Sequence, residues 1–267
     1  MATLLCFHAH PDDEAIATGG TMARAAAEGH RVVLVVATGG EYGETPDDLA
    51  DGETLADRRS AETTASAEAL GIQVVHFLGY SDSGMTGWEQ NQRPEALMNA
   101  PVDEAAERLA AILRSENVDV LTHYDWHGNY GHPDHIAVHQ VGRRAAELAG
   151  TPYVYQATMN RDHMKRLMEA ARVGGAEMPD FGDDDAPGTD DGNPFGMPEA
   201  ELTTAVDVAA FIGQKRASMK AHRSQISDSS FFMEMPEEIF AMSFGTEWFI
   251  REQHPAGISE NWLAGLH

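Results

Sequence analysis

Two short segments of the 267-residue chain set imidazoles and carboxylates side by side: His8-Ala9-His10-Pro11-Asp12-Asp13-Glu14, and later Tyr130-Gly131-His132-Pro133-Asp134-His135. Zinc hydrolases commonly hold their metal with three protein ligands drawn from His and carboxylate, and leave a fourth position to water. His10, Asp13 and His135 meet that count. The acid left over, Asp12, is then free to take the proton of a metal-bound water, whose pKa falls to about 7. Zn2+ is the cofactor this donor set suggests, and Fe2+ accepts imidazole as well. Pro11 forces an extended turn and Pro133 suits the first turn of a helix, so both segments are stiffened where side chains must be held accurately. The plain alternative is that Asp12 or Asp13 caps a helix beginning near Glu14. Capping needs one acid and accounts for none of the histidines.

The segments Ala9–Glu14 and His132–His135 resemble the AHPDDE and HPDH motifs of the LmbE-like, or PIG-L, family of N-acetylglucosaminyl deacetylases, and both motifs are intact. The resemblance extends across the sheet-forming part of the chain, and within the family it points to the actinobacterial deacetylases and amidases of mycothiol metabolism. It implies His10, Asp13 and His135 as zinc ligands, Asp12 as general base, and His132 as the group facing the tetrahedral intermediate. Asp134 would then orient His132 through a hydrogen bond. Tyr130, two residues before His132, matches an oxyanion donor of the mycothiol branch, and Arg59 and Asp82 resemble its substrate-contacting positions. The substrate class so implied is a small-molecule N-acetylglucosamine-type amino sugar or its conjugate. The loop Trp126-His127-Gly128-Asn129 departs from the Pro-Asn-Gly-Gly type usual before that Tyr, which puts the identity of the substrate in question.

The elements that must carry these side chains are legible as an alternation. Leu4 to His8 reads as a buried strand, and the Ala-rich stretch from Glu14 to about Gly29 as a helix. Arg31 to Thr38 is a continuous β-branched run of the kind found in strands buried on both faces. A helix from Leu55 to Leu70, stopped by Gly71, and a strand from Ile72 to Leu78 follow. Then come a helix from Val102 to Arg114, a strand from Val118 to His123, a helix from Pro133 to Leu148 and a strand from Tyr153 to Ala157. The expected fold class is α/β, a Rossmann-like, doubly wound and mostly parallel sheet with an irregular C-terminal part. Such sheets bind ligands beyond the C-terminal ends of their strands, where both motifs stand. A helix over Asp207 to Ser224 and a late strand over Glu247 to Arg251 are expected further on. The acidic stretch at about 174–198, with Asp183, Asp184, Asp185, Asp190 and Asp191 among Gly and Pro, reads as a mobile loop or insertion.

The whole length is read as one domain. A formal net charge of −25 and a pI near 4.7 disfavour a nucleic acid or an anionic membrane as partner. No apolar run approaches a membrane span, and no secretory signal opens the chain, so a cytoplasmic location is expected. Oligomeric state is left open, a homo-oligomer included. Cys6, the one cysteine, sits in an apolar strand and is assigned to the core. His8, His123 and His127 are left out of the metal shell. Among competing functions, an iron(II) oxygenase would use two His and one carboxylate, but it has no job for Asp12. A scaffold or metal-storage protein would need neither Asp12 nor His132. An amidase acting on a non-sugar or thiol-conjugate amide is the alternative within the same chemistry. Gly79-Tyr80-Ser81-Asp82-Ser83 fails the serine-hydrolase pattern at its last position, and the Gly doublets do not form a dinucleotide fingerprint.

Overall fold

The computed structural model describes residues 1–173, 189 and 191–266. Among the described residues seven strands form one sheet: β1 (Thr3–His8), β2 (Arg31–Thr38), β3 (Val74–Tyr80), β4 (Val120–Tyr124), β5 (Tyr153–Thr158), β6 (Thr204–Asp207) and β7 (Thr246–Arg251), in the spatial order β3-β2-β1-β4-β5-β7-β6. The first five are parallel, whereas β7 runs antiparallel to both β5 and β6. β1 is buried along its whole length and pairs with β2 on one side and β4 on the other. The order therefore reverses between β1 and β4, and in a doubly wound sheet the crevice beyond that pair is the ligand position. The two motifs leave the C-terminal ends of exactly these neighbouring strands, one directly and one after a short loop.

One face of the sheet is covered by α4 (Val102–Ser115) and α5 (Pro133–Ala149), whose Leu109, Leu113, Val138 and Val141 pack on Leu5, Phe7, Val33 and Val35. The other face packs Leu4, Cys6 and Val32 against Met22, Val206, Phe249 and Leu263. The helix expected from Glu14 to Gly29 is broken in two, α1 (Asp13–Ala17) and α2 (Gly19–Ala27), with Thr18 between them. The break has a tertiary cause. Both oxygens of Glu247 accept hydrogen bonds at the start of α2, from Gly20 N and Thr21 N at 2.8 Å each, while Lys215 Nζ bonds Ile16 O at 2.8 Å and Glu247 at 2.5 Å. Gly20 is required there, since a Cβ would meet Val208 at 2.5 Å.

α3 (Leu55–Leu70) begins at a capping box between Thr54 and Asp57 and ends at left-handed Gly71, as its sequence signals imply. Beyond β5 the chain departs from expectation. α6 (Arg161–Val173) has no expected counterpart although Met164, Leu167, Met168 and Ala171 stand at helical spacing, and β6 is a four-residue strand paired with β7 and bridged at Thr204 to Glu260. β6 takes Asp207 and a 3-10 turn follows, so the helix expected from Asp207 starts later, as α7 (Ile212–Ala221). Most of the acidic stretch, Asp183, Asp184, Asp185 and Asp190 included, lies outside the described residues. Among the described residues no helix is long and apolar enough to cross a membrane.

The Lys215–Glu247 pair, 1% and 4% exposed, joins α7 and β7 to the break that precedes α2. Removing one member strands the other charge in the interior, which typically costs about 3–5 kcal/mol. Lys215→Met is therefore expected to lower unfolding stability by that order in a denaturant titration, and a change below about 1 kcal/mol would show that the pair does not hold this joint.

Candidate active site

Asp12 stands at the turn between β1 and α1 with φ 109°, and its side chain makes no capping hydrogen bond. The capping alternative thus fails for Asp12. The side chain instead lies 3.3 Å from Arg59 Nη2, on the wall of a cleft of about 190 Å3. His10, Asp13, Tyr42, Arg59, Asp82, Trp88, Tyr130 and His132 share that wall. A larger groove of about 550 Å3 runs along α6, but among the described residues its lining includes no histidine and neither motif, so the chemistry is sought in the smaller cleft.

Around His10 the carboxylates converge. Asp13 Oδ2 accepts from the His10 backbone N–H at 2.8 Å and lies 3.4 Å from His10 Nδ1 and 3.3 Å from His135 Nε2. Donor atoms sharing one tetrahedral zinc at about 2.0–2.1 Å lie roughly 3.3 Å apart, so the spacing of Asp13 to both imidazoles fits a shared ion. His10, His132 and His135 also form a group whose ligand atoms fall within 4.8 Å of one another, as do His10, Asp82, His132 and Asp134. The electrostatics agree. Burial opposes a charge on His10, yet Asp13, Asp134 and Asp82 outweigh it and hold the imidazole well above its ordinary pKa. Burial likewise opposes the Asp13 carboxylate, and His135 and His10 overcome it, keeping Asp13 well below the usual range. The donor types and their spacing fit a shared cation at this point.

The remaining expected site residues fall in the same place, with one correction. The carboxylate of Asp134 was expected on His132; it accepts instead from His10 Nε2 at 3.1 Å and from Ser83 N at 2.8 Å, and also from Ser83 Oγ. Asp134 meets His132 through its backbone, whose N–H donates to His132 Nδ1 at 3.1 Å. The reason is helix geometry: His132 is the N-cap of α5, so its ring turns back onto the first-turn amide. The His132 ring itself is held neutral. Burial pushes its pKa down to about 2, with His10 and His135 adding to the effect. With Nδ1 accepting, the neutral ring carries its proton on Nε2.

Tyr130 Oη lies 3.4 Å from His135 Nε2. Asp82 and Arg59 line the cleft but are already engaged. Asp82 accepts from Gly84 N at 2.7 Å and Tyr42 N at 3.2 Å, and Arg59 donates to Gly40 O at 2.8 Å and to Pro11 O. His8 lies apart, bonded to Tyr124 Oη at 2.9 Å and Thr18 Oγ1 at 2.8 Å, and His123 and His127 belong to neither metal-capable group found among the described residues.

Four supporting residues escape sequence reasoning. Asp125, fully buried, accepts from His127 N, Asn129 N and Thr158 Oγ1 and so shapes the loop that delivers Tyr130. Within it Gly128 lies so close to α5 that a Cβ would meet that of His135 at 2.2 Å. Glu14 and His222 form a buried pair behind Asp12, at 2.5 Å. The signal available for Asp125 was its place directly after β4; His222 offered none. Asp191, among the described residues of the acidic stretch, packs against Gly131, and Gly196 N donates to Asn129 O at 2.8 Å, so this end of the segment adjoins the Tyr130 loop.

Residues 5–146, which include both motifs, match the model of the PIG-L family, described as GlcNAc-PI de-N-acetylase. The chain belongs to the PIG-L family. Over 96% of its length and 92% of the relative's it is 39% identical to the 1D-myo-inositol 2-acetamido-2-deoxy-alpha-D-glucopyranoside deacetylase of Acidothermus cellulolyticus. The protein of the same description from Streptomyces griseus is 42% identical over 86% of this chain and 77% of its own. Among solved structures, N,N'-diacetylchitobiose deacetylase from Pyrococcus horikoshii superposes with a TM-score of 0.56 at 25% identity, over 93% of this chain and 83% of that one. The superposition agrees with the α/β fold and mostly parallel sheet that the alternation of elements implied.

Proposed function

We propose that this protein is a metal-dependent deacetylase that hydrolyses the N-acetyl group of an N-acetylglucosaminyl conjugate, an inositol glycoside foremost. The observation that carries the reading is Asp12: an acid relieved of any capping role, on the cleft wall, beside a carboxylate and imidazoles spaced to share one ion. The named activity of relatives matched along nearly the whole chain supports the substrate class.

His10, Asp13 and His135 would hold the metal, with Asp134 fixing His10 through Nε2 so that Nδ1 is left for the ion. A bound zinc or iron(II) supplies polarisation of the amide carbonyl and a more acidic water. Asp12 accepts the proton that the water loses as its oxygen bonds to the carbonyl carbon. Burial pushes the pKa of Asp12 up to about 6 against the pull of Arg59, which suits a base working near neutrality. The Nε2–H of neutral His132 and the hydroxyl of Tyr130 face the carbonyl oxygen and stabilise its developing charge, each such donor contributing about 3–4 kcal/mol. When the C–N bond breaks, Asp12 returns the proton to the amine nitrogen, and acetate and the free amine leave. Met85 and Trp88 on the rim offer apolar surface to the aglycone.

The test is a panel assayed for amine release with zinc-loaded and iron(II)-loaded protein: the acetamido-glucopyranosyl inositol, diacetylchitobiose, free N-acetylglucosamine and an N-acetyl amide without a sugar. Turnover of the inositol glycoside above the others is expected. Turnover of the sugar-free amide alone would keep the hydrolytic chemistry and remove the glucosaminyl assignment.

A further inference from the structure

We infer that Glu14, clamped from behind by His222 and Ser66, is a positioning residue that fixes the backbone turn on which Asp12 is presented. The inference rests on the reading of Asp12 as the base. Asp12 adopts φ 109° and ψ −30°, a region that a residue with a Cβ rarely enters, so the surroundings must impose it. Glu14 Oε2 accepts from the Asp12 N–H at 3.0 Å. Its other oxygen, Oε1, accepts from Ser66 Oγ on α3 and from His222 Nε2 just past α7, both at 2.5 Å, and Ser66 Oγ is in turn 2.6 Å from Ser218 Oγ on α7. Glu14, Ser66, Ser218 and His222 are all fully buried.

The carboxylate is therefore locked at one oxygen by two other elements and reaches back with the second to the one amide whose orientation sets φ of Asp12. Arg59 holds the preceding carbonyl, that of Pro11. The bond resembles half of a capping box, in which a first-turn acid accepts from the N-cap N–H, but the Asp12 side chain makes no reciprocal bond and the other Glu14 oxygen is held by two further elements. Without the carboxylate the turn can relax to negative φ, which swings the Asp12 side chain off its line to the attacking water. Asp13 is not so released, since its carboxylate is tied to His10 N, so the metal donors stay in place while the base is lost.

The experiment measures kcat, KM, bound metal and Asp12 amide exchange for Glu14→Ala, Glu14→Gln and His222→Ala. A misplacement of about 1 Å can cost about 100-fold, so Glu14→Ala should lose kcat by that order while KM and metal per chain stay within about twofold. The exchange of the Asp12 amide should rise by at least about tenfold, because its buried acceptor is gone. Glu14→Gln keeps an oxygen for that amide, while Ser66 and a neutral His222 can each accept from its NH2, so kcat should return to within about fivefold of wild type. Should Glu14→Ala fail to fold, His222→Ala must still speed Asp12 exchange and lower kcat. Unchanged kcat in Glu14→Ala, a loss that follows metal content, or Glu14→Gln as inactive as Glu14→Ala would each overturn the inference. Asp12→Asn run in parallel separates the levels: if it is inactive while Glu14→Ala is fully active, only this inference falls, and if it keeps wild-type turnover, the assignment of the base falls with it.

Discussion

Replacing Asp12 with Asn is expected to lower kcat by about 10²–10⁴-fold, the range that a positioned general base contributes, while bound metal stays at the wild-type level. Asn preserves shape but cannot accept a proton. The distinction matters because Asp12 and Asp13 are neighbours in one motif with opposite electrostatics. Burial dominates at Asp12 and raises its pKa to about 6, whereas His135 and His10 hold Asp13 well below the ordinary range. One environment makes a base and the other a permanent anion. The same value fixes the sign of the pH dependence: the base must be deprotonated, so kcat should fall as pH drops through about 6, roughly tenfold per unit below it, and level off above. An acidic limb that persists unchanged in whatever activity Asp12→Asn retains would remove Asp12 from this role.

The second large effect is expected at the donors. His10→Ala, Asp13→Ala and His135→Ala should each lose bound metal and turnover together, since three ligands leave no redundancy. Asp134→Ala should behave differently. Its carboxylate holds His10 Nε2 without joining the set of three, and loss of such a partner typically weakens metal affinity about 10–100-fold. Excess metal should then restore activity to Asp134→Ala but not to the ligand variants. Metal analysis after dialysis, at two metal concentrations, reads both outcomes, and full occupancy in the three ligand variants would refute the assignment of ligands.

How far the sequence carried this account depends on where each signal was local. The central strands and their helices were legible because strands buried on both faces are written as continuous apolar runs, as in Val32–Val36, and because α3 and α5 carry their own start and stop residues. The two motifs were legible as chemistry because they combine unusual residue types at fixed spacing. What stayed hidden was set by distant contacts. Thr18 breaks a helix only because Glu247 and Lys215 arrive from the far end of the chain, and His222 supports Glu14 across 208 positions. The side-chain partner of Asp134 was misjudged for a related reason. Sequence proximity suggested His132, while the fold delivers His10 from β1, a strand whose end adjoins that of β4.

The central claim is hydrolysis of an N-acetylglucosaminyl amide, and isotope labelling tests it most directly. The reaction is run with the acetamido-glucopyranosyl inositol in water enriched in oxygen-18, and acetate and amine are both quantified by mass. The predicted result is one labelled oxygen in each acetate, no label in the amino sugar, equal amounts of the two products, and near absence of both with Asp12→Asn. Sugar consumed without release of acetate and free amine, or acetate formed without the label, would contradict it.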